Sequence, residues 1–188
     1  MPRMVSYMSG NSPDLRDKVA DSRGFFKKLQ LAIPGLKEYR KLEDIRAADE
    51  LLRKQVFDKL DGAKGKLEAL RKAMADKGEF TTLTPIGSAI SRIQQISGEV
   101  FHSQQGSAGI SPNIRIDENT LNKLYEYDFN FVNSAEQIFS TVDSSLNDYM
   151  SGTTTSQAIA SKIGPLIDDF NHSWKQRLES VENILVTK

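Results

Sequence analysis

Two histidines occur in the sequence, and each follows an acidic residue by three positions. Glu99 precedes His102, and Asp169 precedes His172. A carboxylate and an imidazole at this spacing share one face of a helix, which is how di-iron helical bundles bind metal. Such a centre also needs inward-facing glutamates on two further helices, where the acidic residues of this chain lie beside the apolar stripes. A carboxylate–histidine metal site around Glu99 and His102 is therefore an alternative to our main interpretation.

Phosphoryl transfer is a second chemistry to consider, at His172. Lys175 follows it by three positions, as in histidine phosphotransfer domains, but Gln176 and Arg177 stand where those domains have small residues. A phosphorylated His172 is thus a further alternative. The sequence has no glycine-rich phosphate loop and no Ser-His-Asp set, and its lack of cysteine excludes disulfides and thiolate metal centres. We predict that the protein is not an enzyme and binds no cofactor.

An acidic residue, Asp128, interrupts the apolar stripe of a predicted helix. It lies seven positions after Leu121 and three before Phe131, which places its carboxylate toward the core. Burying an ionised carboxylate is costly unless it has a partner. We predict a buried ion pair with an arginine of another helix, either Arg46 or Arg53, that fixes the helix register. The alternative is a ligand contact or polar switch inside the bundle.

One segment is the best candidate for contact with a membrane or a partner: Phe25, Phe26, Lys27, Lys28 and Leu29. A helix with apolar residues beside a lysine pair can lie in the interface of an anionic membrane. Residues 1–41 carry nine Lys or Arg against four Asp or Glu, which favours such a contact. The more usual outcome for an amphipathic helix is that its apolar residues pack on the protein while its lysines face water.

Charge and hydropathy limit the classes of function. Lys plus Arg and Asp plus Glu number 25 each, and 27% of the residues are charged against 38% hydrophobic. The chain therefore lacks the basic field, and the basic stripe with interleaved aromatic residues, that nucleic-acid binding requires. No window is long and apolar enough for a membrane span, and the N-terminus lacks a secretory signal, which together predict a cytoplasmic protein.

The elements that would position these residues are helices. Residues 1–12 form a predicted flexible leader, and a short helix should run from 13 to about 33, where Pro34-Gly35 breaks it. Apolar residues spaced by threes and fours then predict a long helix, with Gly78 as its C-terminal cap.

Three further helices complete the pattern. The first opens at Thr84-Pro85 and leads into a turn-rich loop at 103–113. The second follows an N-cap at Asp117 and carries apolar residues from 121 to 149, and the last spans about 159 to 185.

Internal glycines predict irregularities in two of these helices. Gly62 and Gly65 indicate a bend or a close helix crossing, and Gly164-Pro165 predicts a kink or a brief break. Short connections between long helices favour antiparallel neighbours. The predicted fold is all-α, a single domain over residues 13–188. We expect an elongated antiparallel bundle of four main helices, with coiled-coil-like packing, and a short N-terminal helix.

Two stretches resemble an uncharacterised family of prokaryotic all-helical proteins. One is a Gly-x-x-x-Tyr-Arg element at residues 35–40, followed by a long helix of alternating charges, and the other is an aromatic-x-aromatic-Asp element at 125–128. The resemblance covers about residues 34–150. It implies no assigned activity, but such proteins sometimes occur in genomic company with stomatin- or flotillin-like membrane-organising proteins.

These observations together predict a non-enzymatic helical scaffold or adaptor. We expect it to bind protein partners, with a second copy of the chain as one candidate. The cytoplasmic membrane face is a candidate location, reached through a weak attraction of residues 24–33 to anionic lipid. Nucleic acid is not an expected partner.

Overall fold

A computed structural model describes residues 15–36, 42–103 and 117–186, and every regular element in these ranges is a helix. The five α-helices, in chain order, are α1 (Leu15–Ala32), α2 (Leu42–Asp76), α3 (Leu83–His102), α4 (Glu118–Met150) and α5 (Ser156–Val186). A single 3-10 turn, Phe80–Thr82, precedes α3. The predicted all-α class is confirmed. The predicted leader at 1–12, and all but the first residue of the predicted loop at 103–113, lie outside the described residues.

Glycines with a left-handed backbone follow α1 and α2, in the predicted break at Pro34-Gly35 and at the predicted cap Gly78. Gly35 has a φ of 86° and Gly78 a φ of 78°, in the left-handed region that favours glycine. The N–H groups of Gly78 and Glu79 donate to the carbonyls of Ala75 and Met74, each at 3.0 Å. This Schellman arrangement satisfies two carbonyls that would otherwise lack partners at the end of α2.

The N-cap of α4 is Asp117, as predicted. Its carboxylate accepts hydrogen bonds from the Thr120 hydroxyl at 2.6 Å and from the Thr120 backbone N–H at 3.0 Å. These bonds, the one from the hydroxyl foremost, hold the pKa of Asp117 below its ordinary value of 3.8, because they favour the charged form. The cap therefore fixes where α4 begins.

The glycines inside the helices behave differently from one another. A Cβ added to Gly62 would lie 3.0 Å from the ring of Phe139 on α4, whereas one added to Gly65 would meet nothing within 4 Å. Gly62 thus marks the close helix crossing that the sequence suggests. Of the two outcomes predicted at Gly164-Pro165, the brief break is wrong, because α5 continues through Pro165 as one helix, and the kink stays a prediction.

Ion pairs show the relative directions of the long helices. Between α2 and α4, Lys59 contacts Glu136 at 2.6 Å and Lys66 contacts Asp143 at 2.6 Å. The two lysines and the two acids are each two helical turns apart in the same order, so α2 and α4 run in parallel.

The pair α2 and α3 runs in opposite directions. Arg71, near the end of α2, donates to the carbonyl of Leu83 at the start of α3. Arg53, nearer the start of α2, donates to the carbonyl of Phe101 at the end of α3. Helix α5 packs on α3 and α4, and α1 packs on α4.

The buried apolar residues form two clusters. The larger runs between α2, α3, α4 and α5 and includes Phe131, whose ring stacks on Trp174 and packs at a tilt against Phe170. The smaller joins α1 to the first turns of α2 and α4 and to the end of α5. Its buried members are Leu29, Ile33, Leu36, Ala48, Leu52, Leu124, Tyr125 and Val181.

Candidate functional site

Four charged side chains form a network that links α2, α4 and α5. Arg177 on α5 donates from Nε to Asp128 Oδ1 on α4 at 2.7 Å, and from Nη2 to Asp49 Oδ1 on α2 at 2.6 Å. Asp49 Oδ2 in turn accepts from Arg53 Nε at 2.8 Å. Two arginines thus face two carboxylates, and the four charges sum to zero.

The centre of this network lies deep in the protein. The side chains of Asp128 and Arg177 are 1% and 3% exposed. The Arg177 guanidinium also lies over the Phe131 ring, 5.3 Å from its centroid, and 6.0 Å from that of Trp174. Charges buried this deeply cost free energy unless each has a partner, and removing one partner is strongly destabilising. The network, which we call the structural lock, therefore stabilises the packing of α2, α4 and α5 against one another.

The predicted burial of Asp128 is confirmed, but Arg53 is not its partner. Arg53 binds Asp49, one step further along the network, because it lies on the side of α2 that faces α3 and Phe101. The side chain of Arg46, the other predicted partner, lies outside the described residues. Among the described residues, the guanidinium that binds Asp128 belongs to Arg177.

Arg177 was missed by the sequence interpretation, although a signal for it exists. The described side chains of α5 that are buried are Ser156, Ile159, Ile163, Ile167, Phe170, Trp174, Arg177 and Val181, an unbroken run of threes and fours. Arg177 takes the core position in this run, while its neighbour Leu178 is only partly buried. An arginine at a core position of one helix and an aspartate at a core position of another together predict a buried ion pair between the two helices.

The candidate contact segment on α1 is largely covered by the protein itself. Leu29 is fully buried, which removes it from any external surface. The half-buried rings of Phe25 and Phe26 pack against α4, 5.6 Å from Phe129 and 4.9 Å from Tyr125 between centroids.

The lysines of this segment face water. Lys27 and Lys28 are exposed, and the ammonium of Lys28 lies 5.2 Å from the centroid of the Phe25 ring. Among the α1 residues whose side chains the structure describes, the exposed large apolar one is Leu31, which lies within the predicted segment 24–33 and is 79% exposed.

Leu31 stands at an open groove between the end of α1, α2 and α4. The groove has a volume of about 330 Å³. Its walls are mainly apolar, and Lys59, Glu136 and Asn133 supply its polar part. The apolar lining residues are Leu31, Ala32, Pro34, Val56, Phe129 and Val132.

Gln55 also lines this groove, and its side-chain oxygen is left without a hydrogen bond. The Oε1 atom is buried and has no partner among the described residues. Buried acceptors of this kind are uncommon in folded proteins, because each loses its bonds to water and gains none in return. No sequence signal marks Gln55, which adjoins the stripe residue Val56.

The residues of the metal and phosphoryl-transfer alternatives lie on different helices, Glu99 and His102 on α3 and His172 on α5. The Glu99 carboxylate accepts a hydrogen bond from Gln95 at 2.9 Å, and the ring of His102 packs edge-on against Phe101. His172 is exposed on α5. Within the described ranges, no group of three or more His, Asp or Glu side chains is placed to share a metal ion.

A second buried polar atom lies at the opposite end of α2, where Tyr149 of α4 packs against Lys77. The Lys77 ammonium lies 4.1 Å from the centroid of the Tyr149 ring. Burial first, and then the nearby Glu79 carboxylate, raises the pKa of Tyr149 above its ordinary value of 10.0. The hydroxyl has no hydrogen bond of normal geometry within the described residues, so Glu79 acts mainly through its charge.

Comparisons with known proteins do not assign the chain to a family. No protein-family model, no curated protein and no solved structure matches it. Among the described helices, none has a stretch that is long and apolar enough to cross a membrane.

Proposed function

We propose that this protein is a non-enzymatic helical scaffold that binds a protein partner through the groove between α1, α2 and α4. In this proposal α2 to α5 are the four main helices, arranged as two antiparallel hairpins, and α1 is the short N-terminal helix that completes the groove. The family resemblance at 35–40 and 125–128 implies no activity for this chain and stays a hypothesis.

One observation carries the proposal. Leu31, a large apolar side chain that is 79% exposed, borders a mainly apolar groove of about 330 Å³. Exposed apolar side chains are ordinary when scattered, but an apolar patch that continues into a concave site is typical of an interaction surface. The buried charges of the chain, in contrast, bind one another and support the fold.

Insertion of α1 into a membrane is not part of this proposal. The apolar residues that would enter the lipid, Phe25, Phe26 and Leu29, pack on the protein. Lys27 and Lys28 remain available for a purely electrostatic contact with anionic lipid, which salt would weaken. Flotation with anionic vesicles measures that contact directly, and a Lys27→Glu, Lys28→Glu variant is its control.

Affinity capture with matched surface variants tests the proposal. The tagged protein, Leu31→Lys and Phe80→Lys are each incubated with extract of the source cells, and bound proteins are quantified by mass spectrometry. Phe80 is a suitable control because it is 70% exposed and precedes α3, away from the groove. We expect one protein to be captured by the unchanged chain and by Phe80→Lys, but not by Leu31→Lys.

Two results would overturn the proposal. One is capture that no Leu31 substitution affects, and the other is the absence of any protein enriched over an untagged control. Light scattering of the purified protein covers the case in which the partner is a second copy, because Leu31→Lys should then shift a dimer to a monomer. Circular dichroism of each variant confirms that the helices are retained.

A further inference from the structure

The polarity and shape of the groove indicate what occupies it. Its apolar walls, formed by Val56, Phe129 and Val132 among others, favour an apolar or aromatic group. A volume of about 330 Å³ is at the small end for binding sites and suits one bulky group rather than an extended molecule. The groove therefore fits a single large side chain.

The described residues of the rim offer no unpaired charge to a charged occupant. Lys59 and Glu136 both line the groove, and their partly exposed side chains form an ion pair with each other at 2.6 Å. A charged group entering the groove would lose part of its water and would meet no free opposite charge among these residues. The occupant should therefore be neutral.

Gln55 supplies the specific requirement. Its Oε1 atom accepts no hydrogen bond among the described residues, so an occupant that brings a donor would satisfy it. The terminal torsion of glutamine has a broad energy profile, so rotation about it is the movement that would bring the oxygen to an N–H group in the groove. A group that donates and does not accept is the best match, because it adds no new unsatisfied acceptor.

Among protein side chains, only tryptophan is large, aromatic, neutral and a donor without an acceptor. We infer that the groove between α1, α2 and α4 receives a tryptophan side chain of the partner, whose indole N–H donates to Gln55 Oε1. This inference rests on the proposed function. The exposed Leu31 at the edge of the groove favours a polypeptide over a small molecule, because it offers apolar surface beyond the space that one ring fills.

Tryptophan is also a side chain on which binding energy commonly concentrates. Such anchors fill well-packed pockets and are surrounded by contacts that exclude water. The contacts that exclude water around the tryptophan would come from Leu31 on one side and from the paired Lys59 and Glu136 on the other. The partner segment is therefore expected to carry an apolar residue next to its tryptophan.

Titration with small analogues tests the inference on the whole chain. Indole, 1-methylindole and benzofuran have nearly the same size, but only indole has an N–H donor. Binding is followed by two-dimensional NMR, with the backbone amide signals of the groove residues Val56, Phe129 and Val132 as the reporters, because these are present in every variant. We expect weak binding of indole, at least about fivefold tighter than that of either analogue, as a single neutral hydrogen bond would give.

Variants separate the hydrogen bond from the cavity. Gln55→Leu should bind indole and 1-methylindole equally, whereas Gln95→Leu, a change on the exposed part of α3, should retain the preference for indole. Ala32→Phe, which places a ring in the groove, should bind neither compound. Equal binding of all three analogues to the unchanged protein, tighter binding of benzofuran, or a preference that survives Gln55→Leu would overturn the inference.

The two proposals can fail separately. Leu31-dependent capture of a partner without any preference for indole would leave the scaffold function standing and remove the tryptophan assignment. A Gln55-dependent preference for indole without any captured partner would support the indole-binding site at Gln55 and contradict the scaffold function. A partner that binds equally well after its tryptophan is replaced by leucine would also contradict the tryptophan assignment.

Discussion

Substitution of Arg177 by methionine tests the structural lock directly. Methionine keeps most of the aliphatic volume but removes a guanidinium that makes charge-assisted hydrogen bonds of 2.7 and 2.6 Å to Asp128 and Asp49. Asp49 keeps its bond to Arg53, whereas Asp128, which is 1% exposed, loses its bond to Arg177. We expect the free energy of unfolding to fall by about 3 kcal/mol, near the lower end of the range for breaking a buried ion pair.

Urea titration followed by far-ultraviolet circular dichroism measures this loss. The control is Arg92→Met, which removes a partly exposed ion pair with Asp168 and should cost no more than about 1 kcal/mol. A double variant, Arg177→Met with Asp128→Leu, should recover about 2 kcal/mol, because an apolar pair can replace a buried ion pair without loss. If Arg177→Met costs no more than Arg92→Met, the reasoning about the buried network is refuted.

Three other predictions concern single residues. Gly65→Ala should raise the free energy of unfolding by about 0.5–1 kcal/mol in a thermal or urea titration. Gly62→Ala should raise it less or lower it, because the added Cβ would press on Phe139. Equal gains from the two variants would contradict the close helix crossing at Gly62. Tyr149→Phe should leave the free energy of unfolding at pH 7 within about 1 kcal/mol of that of the unchanged protein. It should also reduce the loss of stability above about pH 10, because the raised pKa of Tyr149 stabilises the fold while the phenol is protonated and this contribution disappears as the pH rises. Urea midpoints at both pH values test this. Asp117→Ala should speed amide exchange in the first turn of α4 at neutral pH. That difference should become smaller as the pH falls through the lowered pKa of Asp117, below 3.8, because a lowered pKa stabilises the fold only while the carboxylate is charged. A difference that does not change with pH would refute the ionic part of the cap.

Features that depend on neighbouring residues could be predicted from the sequence. Asp117 caps α4 and Gly78 ends α2 through hydrogen bonds within one turn of the chain. The burial of Asp128 also followed from its position on an apolar stripe. These predictions succeed because helix periodicity and capping are local properties.

Features that depend on helix packing could not be predicted in the same way. The preference for antiparallel neighbours describes α2 and α3 but not α2 and α4, since only contacts between distant residues reveal that the latter run in parallel. The partner of Asp128 could not be predicted without knowing that α5 faces α4 at the position of Asp128. The groove arises from three elements together, so neither Leu31 nor Gln55 has a local signature.

The charge network also limits how this sequence can change over generations. An apolar replacement of both Asp128 and Arg177 is compatible with the fold, but either replacement alone leaves a buried charge without the partner it has now. The effect of each substitution therefore depends on whether the other is already present. An evolutionary path between the charged and the apolar versions must cross a less stable intermediate, or acquire stabilising changes elsewhere first, such as alanine at Gly65.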